Sequence, residues 1–264
     1  MEALVNGIRM AYEDRGTGLP LVLIHGFPLD HTIWDGILPY LEGHLRMIRP
    51  DLRGFGKSEA TEGVYTMRLL ASDIAALLDL LTIPHAVLVG HSMGGYVALA
   101  FAQAYPERIL GLGLVASQAA GDTPERRMGR IAIAEEVIKN GSRPFAELNA
   151  PQLTDDAGLQ KQLYEMILHT NPTSIAAAQK GMAERPDMLP FLPEIKVPAV
   201  VMHGTADRLI PVERARESAG RLPKGRFIEI PGANHMPMME MPAKTAEPVN
   251  QLCAEVTQSA PGAW

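Results

Sequence analysis

Residues 85–105 read HAVLVGHSMGGYVALAFAQAY, and no other stretch of the chain restricts its fold as tightly. The apolar run ending at Val89 suits a strand buried on both faces, and the apolar run from Met93 onward suits a helix. A strand that becomes a helix across Gly90-His91-Ser92-Met93-Gly94 must lie in a sheet with that helix packed back against it, the unit from which α/β folds are built. The connecting pentapeptide has the form G-x-S-x-G. Such a turn strains the backbone of its central residue, and small residues two positions to either side relieve the clashes. Ser92 is thereby pushed beyond the sheet edge. The N–H of Met93, which opens the helix, points toward the place where an oxyanion would form.

The same letters also describe a glycine-rich turn with a solvated serine. An unactivated hydroxyl is a poor nucleophile near neutral pH, so chemistry at Ser92 requires a histidine base and an acid to orient it. The rest of the chain is arranged to supply both. Asn6-Gly7 marks a tight β-hairpin turn near the N-terminus. LVLIHG (21–26), LRMIRPD (45–51), ILGLGLVAS (109–117), VPAVVMHG (197–204) and GRFIEIPG (225–232) are short apolar runs bounded by Gly, Pro or polar residues, and are predicted strands. Leu70, Ile74, Leu77, Leu78 and Leu81 recur at helical spacing after Thr66, a candidate N-cap, and before Pro84. This alternation predicts right-handed crossovers and a doubly wound sheet. Residues 119–189 break the rhythm with helical stretches ending at Asn140-Gly141, before Pro172 and before Pro186, and with no convincing strand. We therefore expect a core domain of residues 1–118 and 190–264 and a helical cap over 119–189, lying across the carboxyl ends of the strands where open α/β sheets bind ligands.

The candidate base is His235, in the turn-rich loop PGANHMP directly after the last predicted strand. Of the other histidines, His31, His44, His85 and His169 fall in loop, helix-end or cap positions, and His25, His91 and His203 adjoin strand ends, where structural hydrogen bonding is the expected role. The candidate acid is Asp207 in HGTADRLIP, directly after the strand that ends at Gly204, although an Asp there also suits a turn that caps the helix from Pro211 onward. The alternative strand end for the acid offers Ser117 and no carboxylate before Asp122. A second oxyanion donor is expected from His25-Gly26-Phe27-Pro28. Proline has no N–H, which makes the Phe27 amide the natural partner of the Met93 amide.

The net charge of −6 supplies no clustered basic footprint for nucleic acid or an anionic membrane, so neither is an expected partner. The single cysteine, Cys253, cannot form an internal disulfide, and no Cys and His grouping has metal-ligand spacing; neither a cofactor nor a metal is expected. The charged N-terminal residues lack the apolar stretch of a secretory signal, and no run approaches the roughly 18 apolar residues of a membrane span. A cytoplasmic protein is the expectation.

Taken in order, HGFP, DLRGFGKS (51–58), GHSMGG, HGTAD and GANHMP resemble the motifs of the α/β-hydrolase superfamily, and in particular its compact carboxylesterases, enol-lactone hydrolases and cofactor-free haloperoxidase-like perhydrolases. The resemblance covers nearly the whole chain. It implies an α/β-hydrolase fold, with an eight-stranded, mostly parallel sheet flanked by helices and a helical cap, and it makes Asp51, Arg53 and Gly54 scaffold residues. Relatives that dehalogenate or open epoxides carry Asp at the nucleophile position, whereas Ser92 argues for ester-type substrates. The HGGG motif of another esterase branch is absent.

The expected function is a serine hydrolase that cleaves short-chain carboxylic esters of small molecules, with Ser92, His235 and Asp207 acting through an acyl-enzyme. A lactonase resembling 3-oxoadipate enol-lactonases and a perhydrolase are alternatives within the superfamily, and a ligand-binding receptor on a hydrolase fold is one outside enzymology. Trp34, Met236 with its neighbours Met238, Met239 and Met241, and the cap residues Ile131, Ile138, Leu163 and Ile167 are candidates to line an apolar pocket, although core packing explains them equally well. An anionic substrate would call for a pocket arginine, for which Arg126, Arg127, Arg130 and Arg185 are candidates.

Overall fold

A computed structural model describes residues 1–259. The chain opens with β1 (Glu2–Val5) and β2 (Ile8–Arg15), joined by Asn6 and Gly7. Both turn residues have positive φ, 45° and 80°, as a two-residue hairpin matched to strand twist requires. Then come β3 (Leu19–Ile24), a 3-10 segment over His31–Tyr40, β4 (Leu45–Pro50), α1 (Met67–Leu80), β5 (Ala86–His91) and α2 (Met93–Ala104). The eight-stranded sheet is completed by β6 (Ile109–Val115), β7 (Ala199–Gly204) and β8 (Gly225–Ile230), in the order β1-β2-β4-β3-β5-β6-β7-β8. Only the pairings of β2 with β1 and β4 are antiparallel.

Because β4 returns to the outer side of β3 while β5 pairs with its inner side, the strand order reverses between β3 and β5. At such a reversal the loops leaving neighbouring strands diverge and open a crevice at their carboxyl ends. Every residue of β3, β5 and β7 is buried, as expected for parallel strands with helices on both faces. One face packs on α1 and α2, with Leu70, Ile74, Leu77 and Leu78 of α1 in the core and the Thr66 side chain accepting the Leu69 N–H at 3.1 Å. β8 differs, being half-exposed along most of its length because it is the sheet edge.

Between β6 and β7 lie four helices, α3 (Pro124–Asn140), α4 (Ser142–Leu153), α5 (Ala157–His169) and α6 (Pro172–Glu184), and no strand. After β7 come α7 (Val212–Arg221), β8, the short α8 (Pro237–Glu240) and α9 (Pro242–Ser259). The sequence reading marks no element beyond residue 232. Yet α9 covers the second face of the sheet: Leu252, Cys253 and Val256 are buried there, and a Cβ at Gly111 of β6 would meet Val256 at 3.0 Å. Its internal Pro248, a residue that ordinarily breaks a helix, argues against a helix there at the level of sequence. Among the described residues, no helix is long and apolar enough to cross a membrane.

Candidate active site

Ser92 ends β5 and begins α2, with φ 49° and ψ −112°. A β-carbon costs energy at positive φ, so the conformation persists only because its surroundings hold it. They do so closely. The Ser92 N–H donates to Val115 O at 2.9 Å, and the Ser117 hydroxyl donates to Ser92 O at 2.8 Å. A Cβ on Gly90 would lie 2.2 Å from Gly94 O, and one on Gly94 would lie 2.3 Å from Ile24 O. Both contacts are with backbone that cannot yield, which explains why the motif needs glycine at these two places.

His235 and Asp207 arrive on the loops that follow β8 and β7. His235 Nε2 is 3.0 Å from Ser92 Oγ, and His235 Nδ1 is 2.7 Å from Asp207 Oδ2. A carboxylate only accepts, so Nδ1 carries the proton and Nε2 presents its lone pair to the serine hydroxyl. Asp207 is held on both oxygens: Oδ1 accepts the Leu209 and Ile210 N–H groups at 2.8 and 3.1 Å, and His203 Nε2 approaches Oδ2 at 3.2 Å. Burial by itself would raise the pKa of this carboxyl. Attraction to the ring N–H groups of His235 and His203 outweighs burial and holds it well below the usual carboxylate range.

The three histidines beside strand ends tie loops together. His25 Nδ1 donates to Gly26 O at 2.8 Å, while its Nε2 accepts the Leu52 N–H at 2.9 Å. His203 Nε2 donates to Ile210 O at 2.8 Å, fixing the loop that carries Asp207. His91 Nε2 donates to the carbonyl of His235 at 2.8 Å, so its ring faces His235 and not Ser92. Burial drives the His91 pKa well down, keeping the ring neutral beside His235. The cap joins this framework too. The His235 N–H donates to Leu153 O at the end of α4 at 3.1 Å, and Asp155 accepts from Arg208 at 2.6 Å and Asn234 at 3.3 Å, neighbours of the two loop residues.

Ser92 and His235 open into a cavity of 310 Å³ that Phe27 also lines. The amides of Phe27 and Met93 make no hydrogen bond among the described residues, which leaves both free for an incoming oxygen. The cap supplies much of the remaining wall. From α3 come Arg126, Gly129, Arg130 and Ile133, at helical spacing on one face. That phase corrects the pocket expected from sequence. Ile131 and Ile138 lie on other faces of α3 and are 38% and 55% exposed. Trp34, Leu163, Ile167 and Met236 are fully buried in the core and line none of this cavity. Tyr96, Phe145, Asn149 and Met182 line it instead, and nothing in their local sequence distinguishes them from core or surface.

Of the four cap arginines, Arg126 and Arg130 reach the cavity, and Arg127 and Arg185 do not. Asp122, the other carboxylate considered from sequence, lies behind this wall. Its Oδ2 takes Arg130 Nε at 2.5 Å and Arg185 Nη1 at 2.8 Å. Burial pushes its pKa up, but the two guanidiniums win and hold the carboxyl below its ordinary value. Arg126 Nε also lies 3.5 Å from Asp122 Oδ1, so this one carboxylate is shared by three guanidiniums, and no Asp or Glu lines the cavity itself. The turn of DLRGFGKS is structural: Asp51 accepts from His31 and from the Lys57 N–H, and Arg53 pairs with buried Asp73 at 2.7 Å.

The family model described as alpha/beta hydrolase fold matches residues 20–242. The chain belongs to the α/β-hydrolase family. Within that family, it is similar in structure to a thermophilic esterase from Thermogutta terrifontis, solved with malate bound, at a TM-score of 0.92 and 38% identity covering 97% of this chain and 98% of that one. It is also similar to the enol-lactonase from Burkholderia xenovorans, at a TM-score of 0.89 and 28% identity, covering 96% of this chain and all of that one (100%). Among curated α/β-hydrolase relatives, it is 34% identical over 89% of its length to the dihydrolipoyllysine-residue acetyltransferase component of an acetoin cleaving system from Pseudomonas putida. The chain spans 62% of that relative's length.

Proposed function

We propose that the chain is a serine hydrolase that cleaves carboxylic esters with small acyl groups through an acyl-enzyme on Ser92. The observation that carries this reading is the hydrogen-bonded relay from Ser92 Oγ through His235 to Asp207 on the wall of a 310 Å³ cavity. As Ser92 Oγ bonds to the ester carbonyl carbon, His235 Nε2 takes its proton. The developing oxyanion accepts the Phe27 and Met93 N–H groups, and Asp207 stabilises the imidazolium. His235 returns the proton to the leaving alcohol. Water then attacks the acyl-enzyme with His235 again as base, releasing the acid and restoring the serine.

The acyl and alcohol groups must share this one cavity, and its Arg126, Arg130, Asn149, Gln152 and Gln179 walls suit acetyl to butyryl groups better than long hydrocarbon chains. A second reading has its own support: Arg126 and Arg130 line the cavity and share with Arg185 the single carboxylate of Asp122, which leaves net positive charge at the wall, a setting that favours a substrate carrying a carboxylate, such as an anionic lactone. Initial rates with p-nitrophenyl acetate, butyrate, octanoate and laurate test the first reading, with Ser92→Ala as control. Activity should peak at the short esters and fall by more than about a thousandfold in the variant. Wild-type turnover in Ser92→Ala would refute the mechanism. Preference for a carboxylate-bearing lactone over its methyl ester would select the second reading.

A further inference from the structure

A second cavity, of 420 Å³, adjoins the first. Its walls are mostly apolar, with Met67 from α1, Leu99 and Ala100 from α2, and Ala119, Pro186 and Met188 from the two ends of the cap. Arg68, Gln103 and Glu184 stand exposed at its rim, and the buried Gln118 and Arg185 also line it. Tyr96 lines both cavities. It lies one turn beyond Ser92 on α2 and is 5% exposed, so its side chain forms part of the wall between the acyl site and the space behind.

That wall is held in place. The Arg185 guanidinium sits 4.2 Å from the centroid of the Tyr96 ring, a cation over an aromatic face. Arg185 is itself immobilised by Asp122 Oδ2 at 2.8 Å, Met182 O at 3.1 Å and Ala120 O at 3.0 Å. A ring clamped by an anchored cation does not swing aside to admit a longer chain, because doing so would leave a buried guanidinium face uncovered. Apart from Arg185 and Gln118, the inner lining of the space behind it is apolar, as a hydrocarbon tail requires.

We infer that Tyr96 is the residue that sets the acyl-length limit of this enzyme, and that the cavity behind it is a latent extension of the acyl site with room for a straight, apolar acyl tail. This rests on the ester-hydrolase reading, and deepens it by naming what restricts the substrate. Tyr96→Ala opens the wall and joins the two spaces. Tyr96→Leu keeps an apolar side chain in the core and opens it less. Each methylene that enters the new space is worth about fourfold in kcat/KM, so a tail reaching in by two or more carbons gains on the order of tenfold or more.

The experiment compares kcat/KM for p-nitrophenyl butyrate, octanoate and laurate in wild type, Tyr96→Ala, Tyr96→Leu and the double variant Tyr96→Ala/Ala100→Phe. Ala100 lies one turn beyond Tyr96 and lines only the rear cavity, so a ring there fills the new space without touching the acyl site. The laurate-to-butyrate ratio should rise at least about tenfold in Tyr96→Ala, less in Tyr96→Leu, and fall back in the double variant. An unchanged ratio, or a rise that Ala100→Phe does not reverse, would overturn the inference. If wild type has no Ser92-dependent turnover, the ester reading is what fails. Calorimetric titration of dodecanoate into Ser92→Ala and Ser92→Ala/Tyr96→Ala then decides the cavity directly: tighter binding to the second supports it, and equal binding overturns it.

Discussion

Replacing Asp207 with asparagine removes one charge and no atoms of consequence, and the structure dictates how the new amide must lie. Asp207 Oδ1 accepts two backbone N–H groups, from Leu209 at 2.8 Å and Ile210 at 3.1 Å. Placing an amide NH₂ there would set donor against two donors, so the asparagine oxygen takes that side and its NH₂ takes the place of Oδ2. The NH₂ then faces His235 Nδ1 at 2.7 Å. A donor facing Nδ1 forces that nitrogen to accept, which moves the ring proton to Nε2, where it faces the Ser92 hydroxyl and can no longer take its proton. A wrong tautomer of this kind costs about 10⁴ in kcat, or about 5.4 kcal/mol of transition-state stabilisation. The assay is kcat and KM for p-nitrophenyl butyrate, with thermal unfolding as a check on the fold. We expect kcat to collapse while KM changes little, because Asp207 does not line the cavity. Retention of kcat within tenfold of wild type would refute the argument that the two backbone donors impose the amide orientation.

Two further outcomes follow from burial. His91 is neutral in the folded state because burial drives its pKa well down, whereas in the unfolded chain it titrates near its ordinary value of about 6.5. Below that pH the unfolded state binds a proton that the folded state refuses, so stability falls with acidity, by up to about 1.4 kcal/mol per pH unit for this one group. Urea unfolding of His91→Gln from pH 7 to pH 4.5 should therefore show a pH slope shallower than wild type by about one proton; an identical slope would mean that His91 is not the group responsible. Cys253 is buried, and burial pushes its thiol pKa up to about 12. It should resist Ellman's reagent in the native protein at pH 8 and react fully in 6 M guanidinium chloride, and rapid native labelling would show that α9 leaves the sheet readily.

Much of the site was legible because its chemistry is local and repeats at strand ends. G-x-S-x-G after a strand is tied to one sharp turn, and the clashes at Gly90 and Gly94 show that the letters are geometric requirements. His235 and Asp207 could be picked because each follows a strand directly, and parallel neighbours bring their carboxyl ends to one edge. The Asn6-Gly7 turn and the Thr66 cap are likewise satisfied by atoms within a few residues.

What depends on how one element is rotated against another was decided only by tertiary packing. Hydrophobicity nominates Ile131 and Ile138 of α3 as readily as Ile133, but the packing of α3 against α6 sets the rotation that brings Arg126, Arg130 and Ile133 to the cavity and leaves the other two off it. Trp34, Leu163, Ile167 and Met236 have the apolar character of pocket residues, and the fold uses it to fill the core. The charge on the cavity wall, the clamp of Arg185 on Tyr96 and the covering of the sheet by α9 join residues far apart in the chain. A sequence states which contacts are chemically allowed at short range. Which distant side chains share one space is set by the relative rotation of packed elements, and no single segment encodes that.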